Sequence, residues 1–224
     1  MLMFSMFTKF QASALGLLTW LAAASDEPGD LVDTPDVQAD EPNLNDVYIE
    51  GEPQLVGTGC PTGSAIVEVA PDKKSFLIGF SAMTLNNPNP AGATVQYKNC
   101  LASIKLHIPN GLQVSVATVN TRGYAFLDQG ITARQTSSYT FAGYPIPTKV
   151  RGDLAGPFDD DFDYSDAVPF ASRTWTQCGA SAIFGINTKM QLNATANPTG
   201  TAIFNTEQVD GRFTIVYQVE FRPC

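Results

Sequence analysis

Apolar and polar side chains alternate with period two through most of the chain beyond residue 46. In SIKLHI (103–108), Ile104, Leu106 and Ile108 fall on one side, and Ser103, Lys105 and His107 on the other. Pro109-Asn110-Gly111 supplies a turn, and LQVSVAT (112–118) resumes with Leu112, Val114 and Val116 on one face, a β-hairpin pattern. AIVEV (65–69) and SFLIGF (75–80) flank a second turn at Pro71-Asp72-Lys73-Lys74. Asp210-Gly211 precedes RFTIVYQVEF (212–221), where Phe213, Ile215, Tyr217, Val219 and Phe221 alternate. No window carries the i, i+3, i+4, i+7 stripe of an amphipathic helix.

The pattern predicts strands near 46–50, 64–70, 75–81, 94–107, 112–119, 123–127, 131–141, 172–190, 201–206 and 212–222. Between them, 143–171 is so rich in Pro, Gly and Asp that it reads as the longest loop of the domain. Many short strands separated by turn residues predict an all-β fold, an antiparallel β-sandwich or flattened barrel.

The first residues break this pattern. One cation, Lys9, precedes the apolar run ASALGLLTWLAAA (12–24), and acidic SDEPGD follows. That order predicts a secretory signal peptide over 1–25, since the apolar core is shorter than the roughly 20 residues that span a bilayer. Residues 26–52 then hold ten carboxylates and no base, and from residue 53 onward twelve acids are matched by twelve bases. A Pro-interrupted acidic stretch has little to bury, so 26–46 is expected to form a disordered leader ahead of a single domain over 47–224. No basic stripe is visible in the sequence, which argues against a nucleic-acid partner. No membrane partner is expected once the signal peptide is removed.

Four cysteines fall in the domain: Cys60, Cys100, Cys178 and Cys224. An even number in an exported chain predicts two disulfides, with three connectivities open. The spacing favours Cys60–Cys100 and Cys178–Cys224, and no closely spaced pair of the kind zinc needs is present.

Candidate chemistry is sparse. His107 is the only histidine and reads as a solvated strand position. CGASAI (178–183) begins like a nucleophile elbow around Ser181, but Ile183 stands where the second glycine is required. The run DDDFDYSD (159–166) offers Asp159, Asp161 and Asp163 on one face if extended, with Phe162 and Tyr164 on the other. Those three carboxylates are the candidate Ca²⁺ ligands, although same-face Cα atoms lie about 6.8 Å apart and the chain would have to curl. The plainer expectation is that Phe158, Phe162 and Tyr164 pin a loop while the aspartates stay wet. Arg122, Tyr124 and Asp128 form a candidate binding set, with a structural Arg122–Asp128 pair and a core Tyr124 as the competing reading. Trp175, three residues before Cys178, reads as core packed on a disulfide. Asn193-Ala194-Thr195 is an N-glycosylation sequon.

Taken together, GCPTGS (59–64), KNC (98–100), IPNG (108–111), RGYAFLDQG (122–130), GPFDDDF (156–162), WTQCGA (175–180), INT (186–188) and the final Cys224 resemble the secreted family catalogued as domain of unknown function 4360. The resemblance implies an exported, disulfide-bonded domain with cysteines at these four positions, and it transfers no catalytic residue. The expectation is therefore an extracellular, non-enzymatic binding or structural module, without a cofactor, at a cell wall, matrix or host surface. Its partner would be a carbohydrate or other cell-surface ligand. Two alternatives stand beside it: a Ca²⁺-dependent lectin-like module, and a polysaccharide hydrolase using Asp128 or the 159–166 cluster.

Overall fold

A computed structural model describes residues 43–144, 147–204 and 213–224. The expected signal peptide, almost all of the acidic leader and the Asp210-Gly211 turn lie outside these residues. In chain order the strands are β1 Tyr48–Ile49, β2 Gln54–Val56, β3 Ala65–Val69, β4 Ser75–Phe80, β5 Leu85–Asn87, β6 Val95–His107 and β7 Leu112–Leu127. They continue with β8 Thr132–Phe141, β9 Thr148–Ala155, β10 Phe158–Ala167, β11 Ala182–Asn193, β12 Ala202–Phe204 and β13 Phe213–Pro223. Short 3-10 helices occupy Leu44–Asp46 and Phe170–Ser172.

The strands form two antiparallel sheets that pack face to face as a sandwich and do not close into a barrel. Sheet A runs β1-β6-β11-β8-β9, with β2 also on β6; sheet B runs β3-β4-β13-β7-β12-β5, with β10 also on β7. The period-two alternation sets what lies between them. Ile104 and Leu106 of β6 and Phe184, Ile186 and Leu192 of β11 point inward from sheet A. Phe76 and Ile78 of β4 and Ile215 and Tyr217 of β13 meet them from sheet B. Burial pushes the Tyr217 hydroxyl well above the usual phenol range, while the neighbouring Ser137 and Thr188 hydroxyls pull it down. Disulfides join Cys60 to Cys100 and Cys178 to Cys224.

Strand β7 organises sheet B. Along it Leu112, Val114 and Val116 are buried, then Val119, Thr121, Ala125 and Leu127, so the inward parity changes from even to odd. The change is a β-bulge: Gln218 of β13 pairs with Thr118 and Val219 with Val116, which leaves Ala117 as the extra residue. A bulge adds one residue to one strand and so flips the face of everything beyond it. The sequence pattern split this region into strands at 112–119 and 123–127, whereas it is one strand of 16 residues. Because of the bulge, Arg122 and Tyr124 face outward.

The stretch 143–171, expected to be a loop, instead contains β9 and β10. Strand β9 pairs with β8 in sheet A and β10 pairs with β7 in sheet B, so the chain changes sheets at Gly156-Pro157. Gly156 sits where a Cβ would lie 2.1 Å from the Asp128 carbonyl oxygen, which excludes any side chain at this corner. Strand β10 is an edge strand, since β13 and β12 together occupy the other side of β7. An edge tolerates charge and is protected by it from pairing with another sheet. This explains how a run with five aspartates forms a strand. Phe162 is buried against Phe204, and Tyr164 lies over Gly152 of β9, so the aromatics of the run do pin it to the core, but as a strand.

Other boundaries also shift. The strand expected at 172–190 begins only at Ala182, because 168–181 runs over the surface around Phe170–Ser172. Trp175 is half-buried there and not in the core: the Arg222 guanidinium lies 4.2 Å from its ring centre and the Phe170 ring 6.0 Å away. The short strands β2 and β5 carry too few alternations to be visible in sequence.

Candidate functional site

Two register rows cross the outer face of sheet B side by side. Asp163 of β10 pairs with Arg122 of β7, which pairs with Thr214 of β13. The next row is Ser165, Asn120, Val216 and Leu77, from β10, β7, β13 and β4. These seven side chains line an open groove of about 630 Å³. It spans three strand spacings, roughly 14 Å. Its floor is apolar at Leu77 and Val216 and polar everywhere else.

Within it, Arg122 Nε donates to Asp163 Oδ2 at 2.9 Å. Beside it the Tyr124 hydroxyl donates to Asp159 Oδ1 at 2.6 Å. Both members of the Arg122–Asp163 pair are more than half exposed. Exposed pairs of this kind contribute only about 0–1 kcal/mol to folding, so the array is not explained by stability.

The structure therefore unites Arg122 and Tyr124 with Asp159 and Asp163, and separates them from Asp128. The expected Arg122–Asp128 pair does not form, because six residues along one strand amount to about 20 Å. Asp128 instead closes a turn, its Oδ2 accepting the Thr201 backbone N–H at 2.6 Å. Tyr124 is half-buried on the outer face and is not in the core. Asp161 is exposed between its two neighbours and shares a smaller depression with Arg122, Gly123, Phe162 and Asp163. The strand stays extended and does not curl, so Asp159, Asp161 and Asp163 do not converge on one point. Among the described residues no three His, Cys, Asp or Glu side chains form a group that could hold a metal ion.

The outer face of sheet A holds a second cluster that the sequence did not connect. Glu50, just past β1, takes donors from Lys105, Ser181 and His107, and Tyr48 stacks on the His107 ring at 4.7 Å. His107 is thus built into a network and is not a merely solvated strand position. Ser181 and His107 both converge on the Glu50 carboxylate, and among the described residues no hydrogen bond joins one to the other.

The Lys105 and Ser181 hydrogen bonds, chiefly, hold the Glu50 carboxyl down to about 2 from an ordinary 4.5. A depressed folded-state pKa stabilises above the unfolded value, and that contribution is lost as the pH falls from 4.5 toward 2. Melting temperatures of the wild type and Glu50→Gln, measured from neutral pH to strong acid, should differ at neutrality. The two curves should converge within that window, and a constant gap would mean that Glu50 acts through packing alone.

The family described as domain of unknown function (DUF4360) matches residues 47–224. An "Uncharacterized secreted protein" of Arthroderma benhamiae is 30% identical over 183 residues, covering 82% of this chain and 74% of its own. Among solved structures, the carbohydrate-binding module TmCBM61 in complex with β-1,4-galactotriose aligns with 77% of this chain and 88% of its own, at 10% identity and a TM-score of 0.29. The Eiger TNF of S. frugiperda aligns with 51% of this chain and 64% of its own, at 14% identity and a TM-score of 0.26. At these TM-scores neither structure bears on function. Among the described residues no helix is long and apolar enough to cross a membrane.

Proposed function

We propose that this chain, which belongs to the DUF4360 family, is an exported binding module. It holds a hydroxyl-rich chain, a glycan of a cell wall, matrix or host surface, in the groove on the outer face of sheet B. The observation that carries this reading is the lining of the groove. Asn120, Arg122, Asp163, Ser165 and Thr214 offer donors and acceptors at fixed lattice positions, on rigid strands and along an open channel. Sugar hydroxyls both donate and accept, so a polar groove of mixed character suits them better than a uniformly charged or apolar one. An open channel suits a polymer, which must enter and leave along its length.

Binding fits this arrangement better than hydrolysis does. A glycosidase needs two facing carboxyls, one of them held protonated. Burial raises the pKa of Asp166, but alternation along β10 points Asp166 away from the face that carries Asp159 and Asp163. Asp163 and Asp159 are engaged by Arg122 and Tyr124.

A glycan array probed with the secreted protein identifies the ligand, and Arg122→Ala tests the site. Loss of charge-assisted hydrogen bonds is expected to weaken binding by about 10- to 100-fold with the melting temperature unchanged. Undiminished binding by Arg122→Ala would remove the groove from the account. Release of new reducing ends, abolished by Asp163→Asn, would make the protein a hydrolase.

A further inference from the structure

A second groove crosses the outer face of sheet A, and a modification sequon opens into it. Its floor is again two register rows. Gln191, Arg134 and Asp153 form one row across β11, β8 and β9, and Asn193, Thr132 and Ala155 form the other. With Arg151 and Leu154 they enclose about 570 Å³. Asp153 Oδ1 accepts from Arg134 Nε at 2.6 Å and its Oδ2 accepts from Arg151 Nε, so the charged groups are fixed in place. Asn193 is the acceptor residue of the Asn193-Ala194-Thr195 sequon. It alternates with buried Leu192 and Ala194 and therefore faces outward, at the β11 end of its row. Its Oδ1 accepts the Thr195 backbone N–H at 3.0 Å, which orients the amide.

We infer that Asn193 carries an N-linked glycan whose first sugars lie in this groove, across β8 toward β9, as a tethered ligand of the protein's own surface. Attachment forms a bond from Asn193 Nδ2 to C1 of the first sugar of a lipid-diphosphate-linked oligosaccharide. The C1–O bond to the lipid diphosphate breaks, and one amide proton leaves. The first sugars carry acetamido groups and hydroxyls. Gln191 and Arg134 supply donors for them, Asp153 and Thr132 supply acceptors, and Ala155 supplies an apolar contact. Because the sugar is tethered at the rim, its effective concentration in the groove is on the order of millimolar, so the weak affinity usual for short glycans suffices to keep it docked. The docked glycan occupies a different face from the sheet B groove and leaves that groove open. The inference depends on export through a glycosylating pathway and not on the ligand of sheet B.

The test is made on full-length protein secreted by a fungal host. Intact mass before and after treatment with an amide-cleaving glycosidase reads occupancy at Asn193, with Asn193→Gln as control. The rate of glycan release from the native protein then reads docking. Gln191→Ala and Arg134→Ala should each speed native release by about two- to tenfold while the melting temperature holds, and neither should change release from the unfolded chain. A bare polypeptide mass overturns the attachment. A glycan present at Asn193 and released equally fast from wild type and both variants overturns the docking alone.

Discussion

Phe184→Ala is expected to destabilise the protein by about 3–5 kcal/mol, the range for emptying a buried aromatic site. Phe184 has no exposed surface and lies at the centre of the inter-sheet aromatic cluster. Its ring centre is 5.0 Å from Phe76 and 5.5 Å from Tyr217 of sheet B, and 5.0 Å from Phe141 of its own sheet. The two pairs with sheet B are edge-to-face, and each such pair adds about 0.5–1.5 kcal/mol beyond area burial. The substitution therefore removes packing that both sheets share, and no single strand can relax to fill the space. Denaturant unfolding should show a lowered midpoint with an unchanged slope. The neighbouring Ile183, on the opposite face and 46% exposed, provides the control. Ile183→Ala should stay within about 0.5 kcal/mol of wild type. Equal losses at the two positions would contradict this assignment of the strand's faces, and a larger loss at Ile183 would reverse it.

The second large effect concerns the disulfides, which differ in exposure. Cys60 and Cys100 are 2% and 1% exposed and close a loop with a sequence separation of 40. Cys178 and Cys224 are both exposed, where the C-terminus is fastened beside Gly111. Replacing both Cys60 and Cys100 by serine should cost about 4 kcal/mol on the chain-entropy account, and it also places two hydroxyls in the core. Graded reduction followed by alkylation and mass analysis should open Cys178–Cys224 first, because exchange requires access of the attacking thiolate. Simultaneous opening of both bridges, or earlier loss of Cys60–Cys100, would contradict the assigned burial.

The parts of this fold that were legible in the sequence are those where alternation runs unbroken between good turn residues. The β3–β4 hairpin around 71–74 is of this kind, as are β6 and the first half of β7 taken as single strands. The hairpin expected between those two does not form, because Pro109-Asn110-Gly111 carries the chain from β6 in sheet A to β7 in sheet B. Strand β7 was legible only in halves, because the Ala117 bulge changes the parity of its apolar positions midway. Strand β10 was hidden by its aspartates. Composition alone reads Asp-rich segments as loops, yet an edge strand needs only one packed face, and Phe162 with Tyr164 suffices for it.

The candidate site was half legible for a related reason. Arg122 and Tyr124 stood out locally, but their partners Asp163 and Asp159 lie 41 and 35 residues further on. Only the β7–β10 register brings them together, and a local search settled on Asp128, which strand geometry places out of reach. Ser181 and Glu50 are 131 residues apart, and Glu50 and His107 are 57 apart, so nothing in either neighbourhood announced that cluster.

The most direct test of the central claim is to titrate the array-identified glycan into isotope-labelled protein and map the backbone amides that shift. Shifts should concentrate at Asn120, Arg122, Asp163, Ser165 and Thr214 and fade toward β3, at the opposite edge of sheet B. Shifts gathered instead around the exposed Tyr97 and Leu101 on the outer face of sheet A would place binding on the other side of the sandwich and contradict that claim.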